Sequence, residues 1–226
     1  MNNPPSNVRN KKSSVQSSRV SSADRKDQLI HATIALMRRH GVQRLNIRAI
    51  AEEANAPLAT VHYCFEGKDD LLSHAVEHWL RRMVDVPGLG GSDGAPFGLA
   101  QTVERIAEAY WAAFVDDPLD VLCQIELVLW AARQLPSDTL ANTIYQRYER
   151  ALGDVFAKAL SHAGETSTWE PTDLARTFIA LIDGASLQLI ADPTAPGHRE
   201  RFFRALRVLL ADTVRPASRG ATPEIR

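Results

Sequence analysis

Apolar side chains recur at steps of three and four residues along most of this chain, the period that places them on one face of an α-helix. Leu29, Thr33 and Leu36 begin the pattern, which continues to about residue 214. No segment shows the sustained alternation of apolar and polar residues that marks a half-buried β-strand. We therefore predict an all-α fold of about nine helices.

Signals at helix ends predict four helices before residue 85. Asp24 is the expected N-cap of the first helix, and Gly41, which follows three basic residues, is its expected end. Asn46 is expected to cap a short second helix. Pro57 suits the first turn of a third helix that ends near Tyr63. Acidic residues then favour the start of a fourth helix, which runs to about residue 84.

Glycine and proline divide the chain into two folded regions. Five Gly and two Pro between residues 85 and 98 mark a loop, which separates an N-terminal domain (24–84) from a larger helical domain (85–214). Residues 1–23 are basic, rich in Ser and Asn and poor in bulky apolar groups, so we expect a flexible arm. Residues 215–226 are expected to fray. The later helices are expected at about 98–116, 118–134, 137–164, 171–191 and 197–214.

The formal charge is unevenly distributed along the chain. Residues 1–68 contain 11 Lys or Arg and 5 Asp or Glu, a net of +6, whereas the remainder contains 15 and 22, a net of −7. A basic N-terminal region favours a polyanion partner such as nucleic acid. Charges clustered on solvated faces would give the same count.

Composition also excludes several classes of protein. The two Cys residues are too few for a disulfide framework, which fits a reducing, cytoplasmic setting. The longest uninterrupted apolar run is the seven residues from Ala109 to Val115, whereas a membrane-spanning helix needs about 20, so we expect no membrane partner. Residues 1–23 lack the apolar core of a secretory signal.

Two short helices joined by a tight turn and braced by a longer first helix form the helix-turn-helix arrangement. Asn55 tolerates the left-handed conformation that such a turn needs. A recognition helix must be short and carry small or polar groups that reach base edges in a groove about 12 Å wide. Lys68 and the free N–H groups of the fourth helix add an anion site. The third helix presents Leu58, Ala59, Thr60, His62 and Tyr63.

Residues 25–83 resemble the DNA-binding domain of TetR-family transcriptional regulators. The matching stretches are LIHAT at 29–33, LM at 36–37, Gly41, LNIRAIA at 45–51, TVHYCF at 60–65 and KDDLL at 68–72. The match runs without a gap through both short helices. The family is also similar in total length and in having an all-helical C-terminal part.

This resemblance implies a set of DNA contacts. Arg48 matches a position that touches a base or a phosphate, and Thr60, His62, Tyr63 and Lys68 match base or phosphate contacts. Cys64 is interpreted as a small packing residue. The operator sequence cannot be transferred, because the chain departs from the usual family residues at Asn55, Pro57, Ala59, His62 and Cys64.

The resemblance also implies a ligand pocket and a dimer interface in the C-terminal helices. Apolar walls with a few polar groups are typical of small-molecule sites, and the predicted lining is Trp79, Met83, Trp111, Gln124, Leu127 and Trp130. The last two helices have wide apolar faces, and the predicted interface residues are Phe178, Ile182, Phe202, Leu206 and Leu209. We interpret Gly184, within the apolar helix 171–191, as allowing close helix approach.

We therefore expect a cytoplasmic, homodimeric, ligand-responsive transcriptional regulator. The expected form is a repressor that binds a palindromic double-stranded DNA operator and is released by an apolar or amphipathic small molecule. An activator is one alternative, and an all-α enzyme or small-molecule-binding module without DNA function is another. The sequence contains no catalytic motif that would indicate an enzyme. We expect neither a cofactor nor a metal, since no metal-binding motif surrounds His74 and His78.

Overall fold

The computed structural model describes residues 21–87, 97–134 and 140–215. Within these ranges the chain forms nine α-helices, which confirms the predicted all-α class. They are α1 (Ser22–His40), α2 (Ile47–Glu53), α3 (Leu58–Cys64), α4 (Lys68–Val84), α5 (Leu99–Asp116), α6 (Pro118–Arg133), α7 (Leu140–Ala163), α8 (Pro171–Ala191) and α9 (His198–Thr213). A 3-10 turn (Val42–Arg44) and a two-residue antiparallel pair, β1 (Thr166–Ser167) with β2 (Val214–Arg215), were not expected.

The ends of the chain required two corrections. The N-cap of α1 is Ser21 rather than Asp24, because the Ser21 hydroxyl accepts a hydrogen bond from the backbone N–H of Asp24 at 3.0 Å. Residues 22 and 23 are therefore helical and do not belong to a flexible arm. Arg215, expected to fray, pairs with Thr166 in the short sheet. The rest of the predicted arm (1–20) and tail (216–226), and most of the predicted loop (88–96), lie outside the described residues.

The N-terminal helices follow the capping signals closely. The side chain of Asn46 accepts a hydrogen bond from the backbone N–H of Ala49 at 2.9 Å, so it caps α2. Asn55 has φ 47°, the left-handed conformation that lets the chain reverse between α2 and α3. Pro57 is the N-cap of α3 and not its first helical residue. The chain thus places α3 at a sharp turn after α2, in a helix-turn-helix.

The C-terminal helices pack around buried aromatic and aliphatic groups that continue the core of the N-terminal helices. The Phe156 ring of α7 meets the Phe178 ring of α8 edge to face, with centroids 5.9 Å apart. The two helices lie close together at Gly153, where a Cβ atom would lie only 2.9 Å from Cγ2 of Thr172. Gly184 does not have the packing role expected of it, because a Cβ atom there would meet nothing within 4 Å.

Helix α8 is long and apolar enough to cross a bilayer by length and composition, with a mean hydropathy of 1.4 over its best window. Core helices of water-soluble proteins pass the same test, so one such helix is weak support for a membrane span. Here α8 packs between α7 and α9 and carries Asp183 at its middle. We interpret it as a helix that packs into the core of this domain on one side and keeps an exposed outer face on the other.

Close contact between α7 and α8 predicts that Gly153→Ala destabilises the protein. The added methyl group must displace Thr172, and such overpacking costs about 1–3 kcal/mol, more than the roughly 1 kcal/mol that alanine gains over glycine in a helix. Urea denaturation measures the free energy of unfolding. Thr172→Ser removes the clashing methyl group, so the double variant should recover part of the loss. A Gly153→Ala variant more stable than the wild type would contradict this packing.

Candidate DNA interface and ligand cavity

Helix α3 projects from the N-terminal domain. Val61 and Cys64 are buried against the other helices of this domain, which fits the predicted packing role of Cys64. On the opposite side Tyr63 has 83% of its surface exposed. Of the predicted base-reading residues, Leu58, Ala59, His62 and Tyr63 are exposed and Thr60 is half-buried. The geometry therefore leaves one face of α3 free to enter a DNA groove, and contact with DNA by these side chains stays a prediction.

Arg48 lies exposed on α2, the helix that precedes α3. It forms no hydrogen bond or ion pair within the described part of the chain, whereas Glu53 at the end of the same helix is paired with Arg39. A guanidinium group without a protein partner keeps all its donors available for a base edge or a phosphate. The position fits the predicted DNA contact.

Lys68 is placed differently from the expectation. Its ammonium group lies 4.5 Å from the centroid of the Trp130 ring, a cation–π contact between α4 and α6. Burial lowers the pKa of Lys68, and the nearby Asp69 opposes that shift. Trp130 was predicted to line the ligand pocket, which is wrong because its ring covers Lys68 at the boundary with the N-terminal domain. The phosphate contact of Lys68 stays a prediction.

A cavity of about 160 Å³ lies among α4, α5, α6, α7 and α8. Its volume is close to that of an engineered cavity, about 150 Å³, that holds benzene, so it has room for a ligand of one or two rings. Four of the predicted residues line it, namely Trp79, Met83, Gln124 and Leu127. That a ligand binds there stays a prediction.

Trp111, also predicted to line the cavity, instead stacks on Phe202 with ring centroids 5.7 Å apart, between α5 and α9. Tyr110, one position earlier, faces the cavity in its place. Successive side chains on an α-helix point about 100° apart. A small error in the predicted orientation of the helix therefore exchanges Tyr110 and Trp111. Ile182, predicted for the dimer interface, also lines the cavity and is wrong as an interface residue.

Sequence reasoning missed the polar groups of the cavity other than Gln124. The hydroxyl of Tyr145 donates a hydrogen bond to the Asp183 carboxylate at 2.7 Å, and the hydroxyl of Tyr148 donates to Gln124 at 3.2 Å. Burial raises the pKa of Asp183, and the hydrogen bond from Tyr145 opposes that shift. Burial also raises the pKa of Tyr145 and Tyr148, so both hydroxyls stay protonated donors at neutral pH. The sequence signal that could have indicated these groups is Asp183, an acidic residue inside the apolar helix α8.

A buried carboxylate joins the cavity wall to the N-terminal domain. Asp120 of α6 accepts hydrogen bonds from the indole N–H of Trp79 and from Arg82, both at 3.0 Å. Arg38 of α1 lies 4.0 Å from the same carboxylate and makes a two-pronged ion pair with Asp117. Asp120 therefore links the Trp79 ring of the cavity wall to Arg38 of α1.

Three more of the predicted interface residues are also buried inside the protomer. Phe178, Phe202 and Leu206 are each at most 5% exposed, so they stabilise its own core and cannot lie on an outer surface. Leu209 is half-buried at the edge of an apolar groove between α8 and α9. Val208, which is 66% exposed, also lines this groove.

The cysteines and histidines form no reactive cluster within the described ranges. Cys64 and Cys123 are both free and buried, and burial raises the pKa of Cys123 to about 11, so its thiol is unreactive at neutral pH. No group of three or more His, Cys, Asp or Glu side chains lies close enough to hold a metal ion in that part of the chain.

Comparison with known proteins agrees with this geometry. Residues 29–75 match the model of the family described as bacterial regulatory proteins, tetR family. The chain is 36% identical over 183 residues to the HTH-type nicotine-responsive transcriptional repressor HdnoR of Paenarthrobacter nicotinovorans, covering 80% of this chain and 92% of that protein. It is similar in fold to a TetR transcription regulator from Haloarcula marismortui (TM-score 0.62, 19% identity, covering 85% of this chain and 100% of the other). It is also similar in fold to the multidrug binding protein EbrR complexed with ethidium (TM-score 0.58, 23% identity, covering 82% of this chain and 98% of the other).

The fold and the exposed recognition helix define a helix-turn-helix DNA-binding protein. Its identity to the curated relative extends over most of both chains, so the chain belongs to the TetR family of bacterial regulatory proteins. It is a transcriptional regulator, and the expectation that it is not an enzyme is confirmed by this membership.

The raised pKa of Asp183 predicts that Asp183→Asn stabilises the empty protein. The unfolded chain gives up this proton near pH 3.9, and the folded protein does so at higher pH. Ionisation in the folded state therefore costs stability at neutral pH, and that cost fades as the pH falls towards about 4. Melting curves should show a higher Tm for the variant at neutral pH and a smaller difference in acid. Asp173→Asn, on the exposed side of the same helix, should give no such gain. A lower Tm for Asp183→Asn at neutral pH would contradict this reasoning.

Proposed function

We propose that this protein is a cytoplasmic, homodimeric repressor, which binds a palindromic operator and is released when a small amphipathic molecule enters the cavity. The observation that carries the proposal is the connection between the two sites. Trp79 lines the cavity and bonds to Asp120, which lies beside Arg38 of the N-terminal domain. The similarity to a repressor named for its response to nicotine supports both the sense of regulation and an effector of one or two rings.

The exposed face of α3 and the unpaired Arg48 support the proposal that the protein binds an operator. The basic charge of residues 1–68 attracts DNA regardless of sequence, and side chains in the major groove then discriminate among bases. A two-fold dimer places its two recognition helices about 34–36 Å apart, one turn of DNA. The operator is then two inverted half-sites.

Arg48→Ala should weaken binding to the operator by about 1–3 kcal/mol if the guanidinium reads a base. The operator would be taken from a DNA fragment upstream of the gene, and gel-shift titration at several salt concentrations gives both the affinity and the salt dependence. Arg150→Ala removes the same charge from an exposed position on α7 and is the matched control. Equal affinities for Arg48→Ala and the control would exclude Arg48 from the interface.

The outer face of α8 and α9 supports the proposal of a dimer. Leu181, Val208 and Leu209 line an apolar groove whose rim carries Arg204 and Asp212. An exposed apolar groove with charges of both signs at its edge suits a self-complementary contact. Since Phe202 and Leu206 are core residues, substitutions there would unfold the protomer and would not test the interface.

Val208→Glu should produce a folded monomer that binds the operator weakly. A charge at this exposed position costs little in the isolated protomer, but it is buried without a partner when two copies meet. Sedimentation measures the mass, and circular dichroism checks the fold. Val115→Glu places the same charge at a comparably exposed position on α5 and should leave the dimer intact. A wild-type protein that sediments as a monomer at micromolar concentration would contradict the proposal.

Release by an effector requires that the ligand bind the conformation that has low affinity for DNA better than the conformation that binds the operator. A ligand that displaces Trp79 weakens its hydrogen bond to Asp120 and so changes how α1 is held against α6. Coupling of about 1–3 kcal/mol is typical of such systems, and operator DNA must weaken ligand binding by the same factor. The rigid spacing of the two half-sites converts a small movement of the N-terminal domains into lost DNA contacts.

A further inference from the structure

One charged group faces the cavity without a counter-ion. Asp183 is the one Asp, Glu, Lys, Arg or His among the described residues that line it. Its carboxylate accepts one hydrogen bond, from the hydroxyl of Tyr145, and takes part in no ion pair within the described ranges. Asp120, which is buried, is by contrast held by Trp79 and Arg82. Most of the acceptor capacity of Asp183 is therefore unused.

Aromatic side chains line the cavity together with this carboxylate. Tyr110, Tyr145, Tyr148 and Trp79 all line the same cavity. The face of an aromatic ring attracts cations, most strongly where water is excluded, and cages of such rings bind quaternary ammonium groups. The tyrosine hydroxyls are already engaged with protein groups, namely Ser186, Asp183 and Gln124. The cavity thus offers a negative charge and π-faces, and it offers no cation of its own.

We propose that the effector is an organic cation of one or two rings, with its ammonium group bound by the Asp183 carboxylate among the tyrosines and its apolar part against the aliphatic wall. This inference rests on the proposed function, since it names the chemical class of the molecule that enters the cavity. The volume of about 160 Å³ limits the cation to a small aromatic or alicyclic amine or ammonium compound. Tyr145 acts as a positioning residue, because its hydroxyl fixes the carboxylate.

A purely structural role does not account for a carboxylate at this position. If Asp183 served only to accept the hydrogen bond from Tyr145, a neutral amide would do so without the cost of burying a charge. Partial burial beside the cavity raises the pKa of Asp183, as this cost requires. A bound cation removes the cost, because buried charges are tolerated when they are paired.

The test uses two probes of the same shape, phenyltrimethylammonium and its neutral isostere tert-butylbenzene, titrated into the full-length protein and followed by tryptophan fluorescence. The wild type should bind the cation at least about tenfold more tightly than the neutral probe, the scale of one charged contact. Asp183→Asn should lose that preference while keeping its affinity for tert-butylbenzene within about twofold. Tyr145→Phe should reduce the preference in part, and Asp173→Asn, with the same charge change on the outer side of α8, should keep it.

The outcomes separate this inference from the proposed function. Equal affinity of the wild type for both probes, or a preference for the cation that survives Asp183→Asn, would overturn the cation site. Asp183-dependent binding that leaves operator affinity unchanged in gel-shift titration would support the cation site and count against control of DNA binding from the cavity. Operator release by neutral compounds alone would support that control and overturn the cation site. Because Asp183→Asn is expected to be at least as stable as the wild type, its loss of binding cannot be assigned to unfolding.

Discussion

The carboxylate of Asp120 holds together the three helices on which both sites depend. It is only 8% exposed, and a charge at that depth is tolerated only where polar partners surround it. Trp79 and Arg82 of α4 donate to it directly, and Arg38 of α1 approaches it while pairing with Asp117. The N-terminal domain is therefore tied to the C-terminal helices by a polar joint and not by apolar packing alone. A polar joint depends on distance and angle, so a small shift of Trp79 changes its strength more sharply than it would change an apolar contact.

A second joint lies at the other end of the boundary between the two domains. The ammonium group of Lys68, at the start of α4, rests over the Trp130 ring of α6. Helix α4 is therefore attached to α6 both near its beginning and, through Trp79 and Arg82, near its end. With both ends of α4 attached to α6, we expect a displacement of α6 or of the cavity wall to be passed on to α4, which belongs to the N-terminal domain. These contacts form the path along which the proposed coupling between the two sites would run.

Local signals predicted the N-terminal domain well, and long-range packing explains the errors elsewhere. Asn46 as a cap and Asn55 as a left-handed turn depend on neighbouring residues only, so the sequence was sufficient to place them. Trp111 and Tyr110 are adjacent on a helix with apolar groups on several sides, and periodicity could not decide which one faces the cavity. Phe178 and Leu206 show the same difficulty, because a wide apolar stripe looks alike whether it meets its own core or a second subunit.

Asp183 illustrates how a departure from simple packing rules points to function. The sequence presents an acid in the middle of an apolar helix, but the packing prediction for this helix concerned the glycine beside it, Gly184. The structure reverses that emphasis, since Gly184 faces open space whereas the acid faces a cavity ringed by tyrosines. A folded protein that carries a half-buried charge without a counter-ion is less stable than it need be at neutral pH. Such a cost is retained where a ligand offsets it, and the ligand that offsets a buried carboxylate most directly is one that brings the opposite charge into the same cavity.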